Sequence, residues 1–142
     1  MLKMLLPVDG SDACSKAINR FIPILEWYKE LPAIHLLNVQ YPFHGDISMF
    51  VNQENIKQYH QEEGLKDLMQ VRNLFDTAKI TYQYHIAVGE PAETIIQFAQ
   101  AQQCDQIVIG PRGLGLVTGM LLGSVASKLI HLSDIPVLLV KL

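Results

Sequence analysis

Charge is scarce in this chain of 142 residues: Asp, Glu, Lys and Arg make up 18% of it, against 49% apolar residues. That balance excludes a disordered tail or an acidic solvating segment, which need the opposite proportions. A basic excess is missing as well. Lys and Arg number 11 against 14 Asp and Glu, a net charge of −3, so the footprint of a general nucleic-acid binder is lacking. Cysteine occurs twice, at Cys14 and Cys104. Neither belongs to a C-x-x-C pair or to a Cys/His cluster of zinc spacing, so two reduced, buried thiols are expected. No apolar run approaches the ~18 residues of a spanning helix, and the opening Met1 to Pro7 is too short for a signal peptide. The expectation is a soluble, cytoplasmic protein with neither a membrane nor a nucleic acid as partner.

What the chain does have is alternation. Short aliphatic runs, Leu2 to Val8, Ala33 to Val39, Ile80 to Val88, Gln106 to Ile109 and Val137 to Leu142, are separated by longer amphipathic stretches. Met4-Leu5-Leu6, Ile107-Val108-Ile109 and Val137-Leu138-Leu139-Val140 are continuously apolar, as strands covered on both faces of a parallel sheet are. Ile80 to Ile86 is more mixed, which puts it near an edge. Between the runs, Leu65, Leu68, Met69, Arg72 and Phe75 recur at helical steps, and Pro91 opens a stripe of Ala92, Ile95, Ile96 and Ala99. Val125, Ala126, Leu129 and Ile130 form another. A helix is expected from about Asp12 to Glu30, capped by Ser11 with Asp12 and kinked at Pro23. Strand–helix alternation with short joints predicts a doubly wound α/β sheet with helices on both faces. With no linker, repeat or low-complexity tract, residues 1–142 read as one domain. The one long joint, Gln40 to Met49, is the expected mobile segment.

In such sheets ligands bind beyond the carboxyl ends of strands, where the winding reverses. Two strand ends carry chemistry: Pro7-Val8-Asp9-Gly10-Ser11, and Gly110-Pro111-Arg112-Gly113, whose loop leads to Gly123-Ser124. The spacing Gly110-x2-Gly113-x9-Gly123-Ser124 suits an anion cradle. Glycines let backbone N–H groups approach an oxyanion, and a helix start at Gly123-Ser124 favours negative charge. The Ser124 hydroxyl adds a donor and Arg112 a charge. A capping role for Ser124, with glycines serving only turns, is the structural alternative. A P-loop is excluded because no lysine separates Gly123 from Ser124. Gly113-x-Gly115-x3-Gly119 is a poor dinucleotide fingerprint, because no acidic residue ends a following strand about 20 residues on.

These motifs, together with Leu36-Leu37-Asn38-Val39, Gly89-Glu90-Pro91-Ala92-Glu93-Thr94-Ile95-Ile96, Cys104-Asp105-Gln106-Ile107-Val108-Ile109-Gly110 and Ile135-Pro136-Val137-Leu138-Leu139-Val140, resemble the universal stress protein family over essentially the whole chain. The glycine spacing fits its nucleotide-binding branch. The resemblance implies a Rossmann-like, adenine nucleotide alpha hydrolase-like sheet of five parallel strands in order 3-2-1-4-5. It implies that Asp9 sits by adenine and ribose, that Pro7 and Val8 line the base, and that Val39 holds it. Gly110 and Gly113 would approach ribose and phosphates, and Gly123, Ser124 and Val125 would hold the phosphate chain. Ser11 and Arg112 complete the nucleotide-binding set. The ligand would be ATP, or AMP or ADP, with Mg2+ or Mn2+ held by the phosphates. Pro111 stands where a small hydroxyl residue is common, and only Thr118 offers a hydroxyl between Leu114 and Leu122. The implied role is regulatory, through an unknown protein partner. A slow ATPase or autophosphorylating enzyme (acceptor Ser124 or Thr118) and a nucleotide-free interaction module are the alternatives. The apolar edge Val137 to Leu142 is a pairing template, and the resemblance implies a homodimer through it.

Five histidines, His35, His44, His60, His85 and His131, show no ligand spacing and are expected to be solvated or locally hydrogen-bonded. His131 suits the end of its helix. Glu62 and Glu63 are expected on a solvated helix face.

Overall fold

The computed structural model describes residues 1–43, 52–111 and 122–142. Five parallel strands form one sheet: β1 (Lys3–Pro7), β2 (Ala33–Gln40), β3 (Tyr82–Val88), β4 (Gln106–Ile109) and β5 (Val137–Leu139), in the order β3-β2-β1-β4-β5. Among the described residues four α-helices join them: α1 (Asp12–Phe21), α2 (Gln53–Thr77), α3 (Pro91–Ala101) and α4 (Ser124–Leu132). This is the expected doubly wound α/β architecture, and the mixed strand β3 lies at an edge as its composition predicts.

Two apolar layers sandwich the sheet. Met4, Leu6, Ile34 and Leu36 meet Ile18 and Phe21 of α1 and Leu68, Val71 and Phe75 of α2 on one face. Leu5, Leu37 and Ile107 meet Ile95 and Ala99 of α3 and Leu129 of α4 on the other. Successive side chains of Met4, Leu5 and Leu6 point to opposite faces and are all buried, which explains why the middle of β1 reads as a continuous apolar run. Chain reversal between β1 and β4 leaves a crevice at their carboxyl ends, because α1 departs from β1 to one face and α4 from β4 to the other.

Three local expectations need correction. The helix beginning at Asp12 ends at Phe21, and a 3-10 helix follows over Ile22–Trp27 with Pro23 in its first turn. Proline lacks the N–H that would continue the α-helical ladder, so the chain tightens into 3-10 geometry and stops before Glu30. On α2, Met69 is 56% exposed, while the buried stripe is His60, Gly64, Leu68, Val71 and Phe75. Gly64 sits there because a Cβ would come within 2.8 Å of Ile86; its absence lets α2 lie close on β3. On α4, Ile130 is likewise exposed.

Ser11 caps α1 as expected: its Oγ accepts from Cys14 N at 3.1 Å. Both cysteines are free and buried. The long joint begins inside β2 at Gln40, and from residue 44 onward it lies outside the described residues. Among the described residues no helix is long and apolar enough to cross a membrane.

Candidate functional site

A cavity of about 230 Å3 opens at the carboxyl end of the sheet, in the crevice between β1 and β4. Its walls come from four places. Pro7, Val8 and Asp9 follow β1, while Leu37 to Tyr41 supply the end of β2. Ile109 and Gly110 end β4, and Gly123, Ser124, Val125 and Ala126 begin α4. Pro91 and Ile95 of α3 close one side; Cys14 of α1 and Asp67 of α2 close the other. Pro7, Val8, Asp9, Val39, Gly110, Gly123, Ser124 and Val125 are therefore brought together around one space. Arg112, Gly113 and Thr118 lie outside the described residues.

At the α4 end, Gly123 occupies the N-cap position with extended backbone, and no side chain caps the helix. The capping alternative for Ser124 is thus not the arrangement found, since Ser124 is the first helical residue and is exposed. The N–H groups of the first turn have no acceptor within the helix, and this positive end of the helix dipole lies in the cavity wall. Gly123 itself is pinned by its N–H donating to the Pro111 carbonyl at 2.6 Å. Lys128, one turn further, pairs with Glu90 at 3.6 Å.

At the β1 end, Asp9 is shaped by its own loop. Asp9 Oδ1 accepts from Ser11 N at 2.9 Å and from Ser11 Oγ at 2.6 Å. Ser11 does not line the cavity; it orients Asp9 while capping α1. Gly10 makes the turn between them at φ +82°, a left-handed conformation that costs glycine little. Cys14 stands behind this loop with its thiol 3.6 Å from the Pro7 carbonyl. Burial, with the Asp9 charge adding to it, raises its pKa to about 12.

At the β2 end lies a polar group that spacing did not reveal. Asn38, 1% exposed, donates to the Val8 carbonyl at 2.8 Å and to Asp67 Oδ2 at 3.2 Å. Gln40 Nε2 donates to Asn38 Oδ1 at 2.7 Å and to Asp67 Oδ2 at 3.0 Å. Alternation along β2 puts residues 38 and 40 on the α2 face, where Asp67 meets them. Asp67 lies 58 positions after Asp9 in a polar helix stretch that reads as solvated, so no sequence signal marked it.

The histidines divide. His35 and His85 hydrogen-bond each other across β2 and β3. His60 departs from expectation: it is 6% exposed, packed against Phe43 and Tyr59, and its Nδ1 has no partner among the described residues. His131 sits in the last turn of α4 as expected, and His44 lies outside the described residues. Glu62 and Glu63 make surface contacts within α2, with Gln58 and Lys66.

Comparison with known proteins follows the same lines. Residues 1–141 match the model of the universal stress protein family. The universal stress protein MJ0531 of Methanocaldococcus jannaschii is 34% identical over 140 residues, covering 98% of this chain and 81% of that one. YxiE of Bacillus subtilis, also a universal stress protein, is 31% identical over 145 residues, 98% of each. Among solved structures, hypothetical protein MJ0577 superposes with a TM-score of 0.78 at 26% identity, over 100% of this chain and 97% of that one. A universal stress protein in complex with cAMP gives 0.66 at 22% identity, over 98% and 95% of the two chains. A family protein of Arabidopsis thaliana with AMP bound gives 0.70 at 21%, over 99% and 92%. On both sequence and architecture, this chain belongs to the universal stress protein family.

Proposed function

We propose that this protein binds an adenine nucleotide in the crevice between β1 and β4 and acts as a regulatory protein whose partner interactions depend on that nucleotide. The observation that carries the reading is the division of one cavity into two chemistries. Uncapped N–H groups and the Ser124 hydroxyl stand at the α4 end, and Val8, Val39 and Ile95 add apolar walls to the same cavity. A phosphate suits the first and a purine face the second. Relatives of the same fold were crystallised with AMP and with cAMP, which supports an adenine ligand.

In this reading Pro7, Val8 and Val39 hold the base and Asp9, oriented by Ser11, faces base and ribose. Gly110 and Gly113 approach ribose and phosphate, with Arg112 adding charge. Gly123, Ser124 and Val125 take the phosphates. ATP, ADP and AMP share this chemistry. Mg2+ or Mn2+ would enter with the phosphates and be ligated mainly by them, because the α4 end of the cavity presents backbone N–H groups and a hydroxyl, not carboxylates. The protein would work in the cytoplasm as a single domain paired through β5 with a second copy. Mass spectrometry of the nucleotide that co-purifies, followed by calorimetric titration of AMP, ADP and ATP into nucleotide-free protein, tests the proposal. Failure of all three to bind overturns it.

A further inference from the structure

Asp67 is held against the cavity by an apparatus larger than a surface carboxylate needs. Two side-chain amides, those of Asn38 and Gln40, converge on its Oδ2. Asn38 is itself anchored to the Val8 carbonyl. On the other side, a Cβ at position 10 would lie 2.6 Å from Oδ1, so the glycine of the β1 turn leaves the space the carboxylate occupies. Both amide partners are neutral, and among the described residues no Lys, Arg or His forms an ion pair with Asp67. A fixed carboxylate in a cavity wall, held through neutral donors, is an acceptor for a ligand N–H or O–H.

The sheet order says which part of a nucleotide reaches it. The phosphate end of the cavity belongs to β4 and α4, while Asp67 is tied to the end of β2. Two interstrand spacings separate these strands, roughly 10 Å, with β1 and Asp9 between them. A nucleotide with its phosphate on α4 crosses β1 with its ribose and brings its base to β2.

We infer that Asp67 reads the base: held by Asn38 and Gln40, its carboxylate accepts a hydrogen bond from the exocyclic amino group of adenine. The inference rests on the nucleotide-binding reading above and adds to it the residue that selects an amino-bearing purine. Asp67 then distinguishes AMP from purine riboside 5′-monophosphate, which differs from AMP only in lacking that amino group.

The test is calorimetric titration of both nucleotides into the wild-type protein, Asp67→Asn and Asp67→Ala. Wild type is expected to favour AMP by about tenfold or more, since a site built to pair a ligand N–H discriminates against the analogue without it. In Asp67→Asn the side-chain oxygen accepts from the two amides, which turns its NH2 group toward the base. The preference for AMP should then vanish or invert while the melting temperature stays near wild type. Asp67→Ala should bring the two affinities together by weakening AMP alone. If either folded variant keeps the wild-type ratio, or loses both ligands equally, Asp67 does not read the base. A wild-type protein that binds neither nucleotide overturns the nucleotide-binding reading itself, which separates the two failures.

Discussion

His35 Nδ1 lies 3.0 Å from His85 Nε2, with the two rings stacked 5.2 Å apart and 12° from parallel. The residues are not register partners; His35 stands opposite Gln83 and His85 opposite Leu37. The contact runs diagonally between neighbouring strands, on the α3 face, where Phe98 packs on His85 at 4.7 Å. One ring must donate and the other accept, so the accepting imidazole is neutral and the pair cannot hold two charges. Burial lowers both pKa values, and for His35 the facing His85 and Lys3 lower it further.

Acid should therefore weaken the fold through this pair. Unfolded imidazoles titrate near 6.5 and take up protons that the native pair refuses. The unfolded state then binds more protons, so stability is full above that pH and falls as pH drops through and below it. Urea midpoints measured from pH 8 to 5 should decline below about 6.5, and His85→Gln should flatten the decline. An unchanged slope in the variant would show that other groups carry it.

Ser124→Ala should weaken nucleotide binding by about 1–3 kcal/mol, the value of a hydrogen bond to a charged phosphate. The hydroxyl makes no helix cap, so the melting temperature of the ligand-free protein should hardly move. Equal affinity in the variant would remove Ser124 from the phosphate site. Following phosphate release with ATP bound separates binding from slow turnover.

The Cys14 thiol, with a pKa of about 12, should resist alkylation by iodoacetamide at pH 8 in the native protein and react once unfolded. Peptide mapping of the alkylated protein distinguishes it from Cys104. Rapid native labelling at Cys14 would contradict its burial behind the Asp9 loop.

Gly64→Ala should destabilise the protein by roughly 1 kcal/mol or more, although alanine is the better helix former. The added methyl would sit 2.8 Å from three carbons of Ile86, a β-branched side chain with little freedom to turn. Equilibrium unfolding that shows a stabilised variant would mean α2 and β3 separate easily.

Val140 N–H donates inward to the Ile109 carbonyl at 2.8 Å. The N–H groups of Leu139 and Lys141 then point along the open edge of the sheet, since alternate residues of a strand face opposite neighbours. If that edge pairs with a second copy, sizing with light scattering should give a dimer, and Lys141→Pro should shift it toward monomer. A wild-type monomer at micromolar concentration would overturn the pairing.

Much of this architecture was legible because burial on both faces leaves short, continuously apolar runs, too short for helices. Met4 to Leu6 and Ile107 to Ile109 are apolar at every position because helices cover them above and below. The glycine and serine of the α4 start were legible too, since their chemistry is local. The stripe on α2 was not. Met69 and Val71 are both apolar, and only the rotation of the helix on the sheet decides which is buried.

The alternation of elements, the strands that lie inside the sheet, and the groups that line the cavity at β1 and α4 were legible in the amino-acid order alone. These follow from side-chain hydrophobicity and backbone conformation, properties that each short segment carries alone. Packing alone made His35 stack on His85, Asn38 and Gln40 hold Asp67, and Gly10 and Gly64 each make room for a neighbour. Those contacts join residues tens of positions apart through strand register and helix rotation, and register is a property of packed elements that no single segment contains.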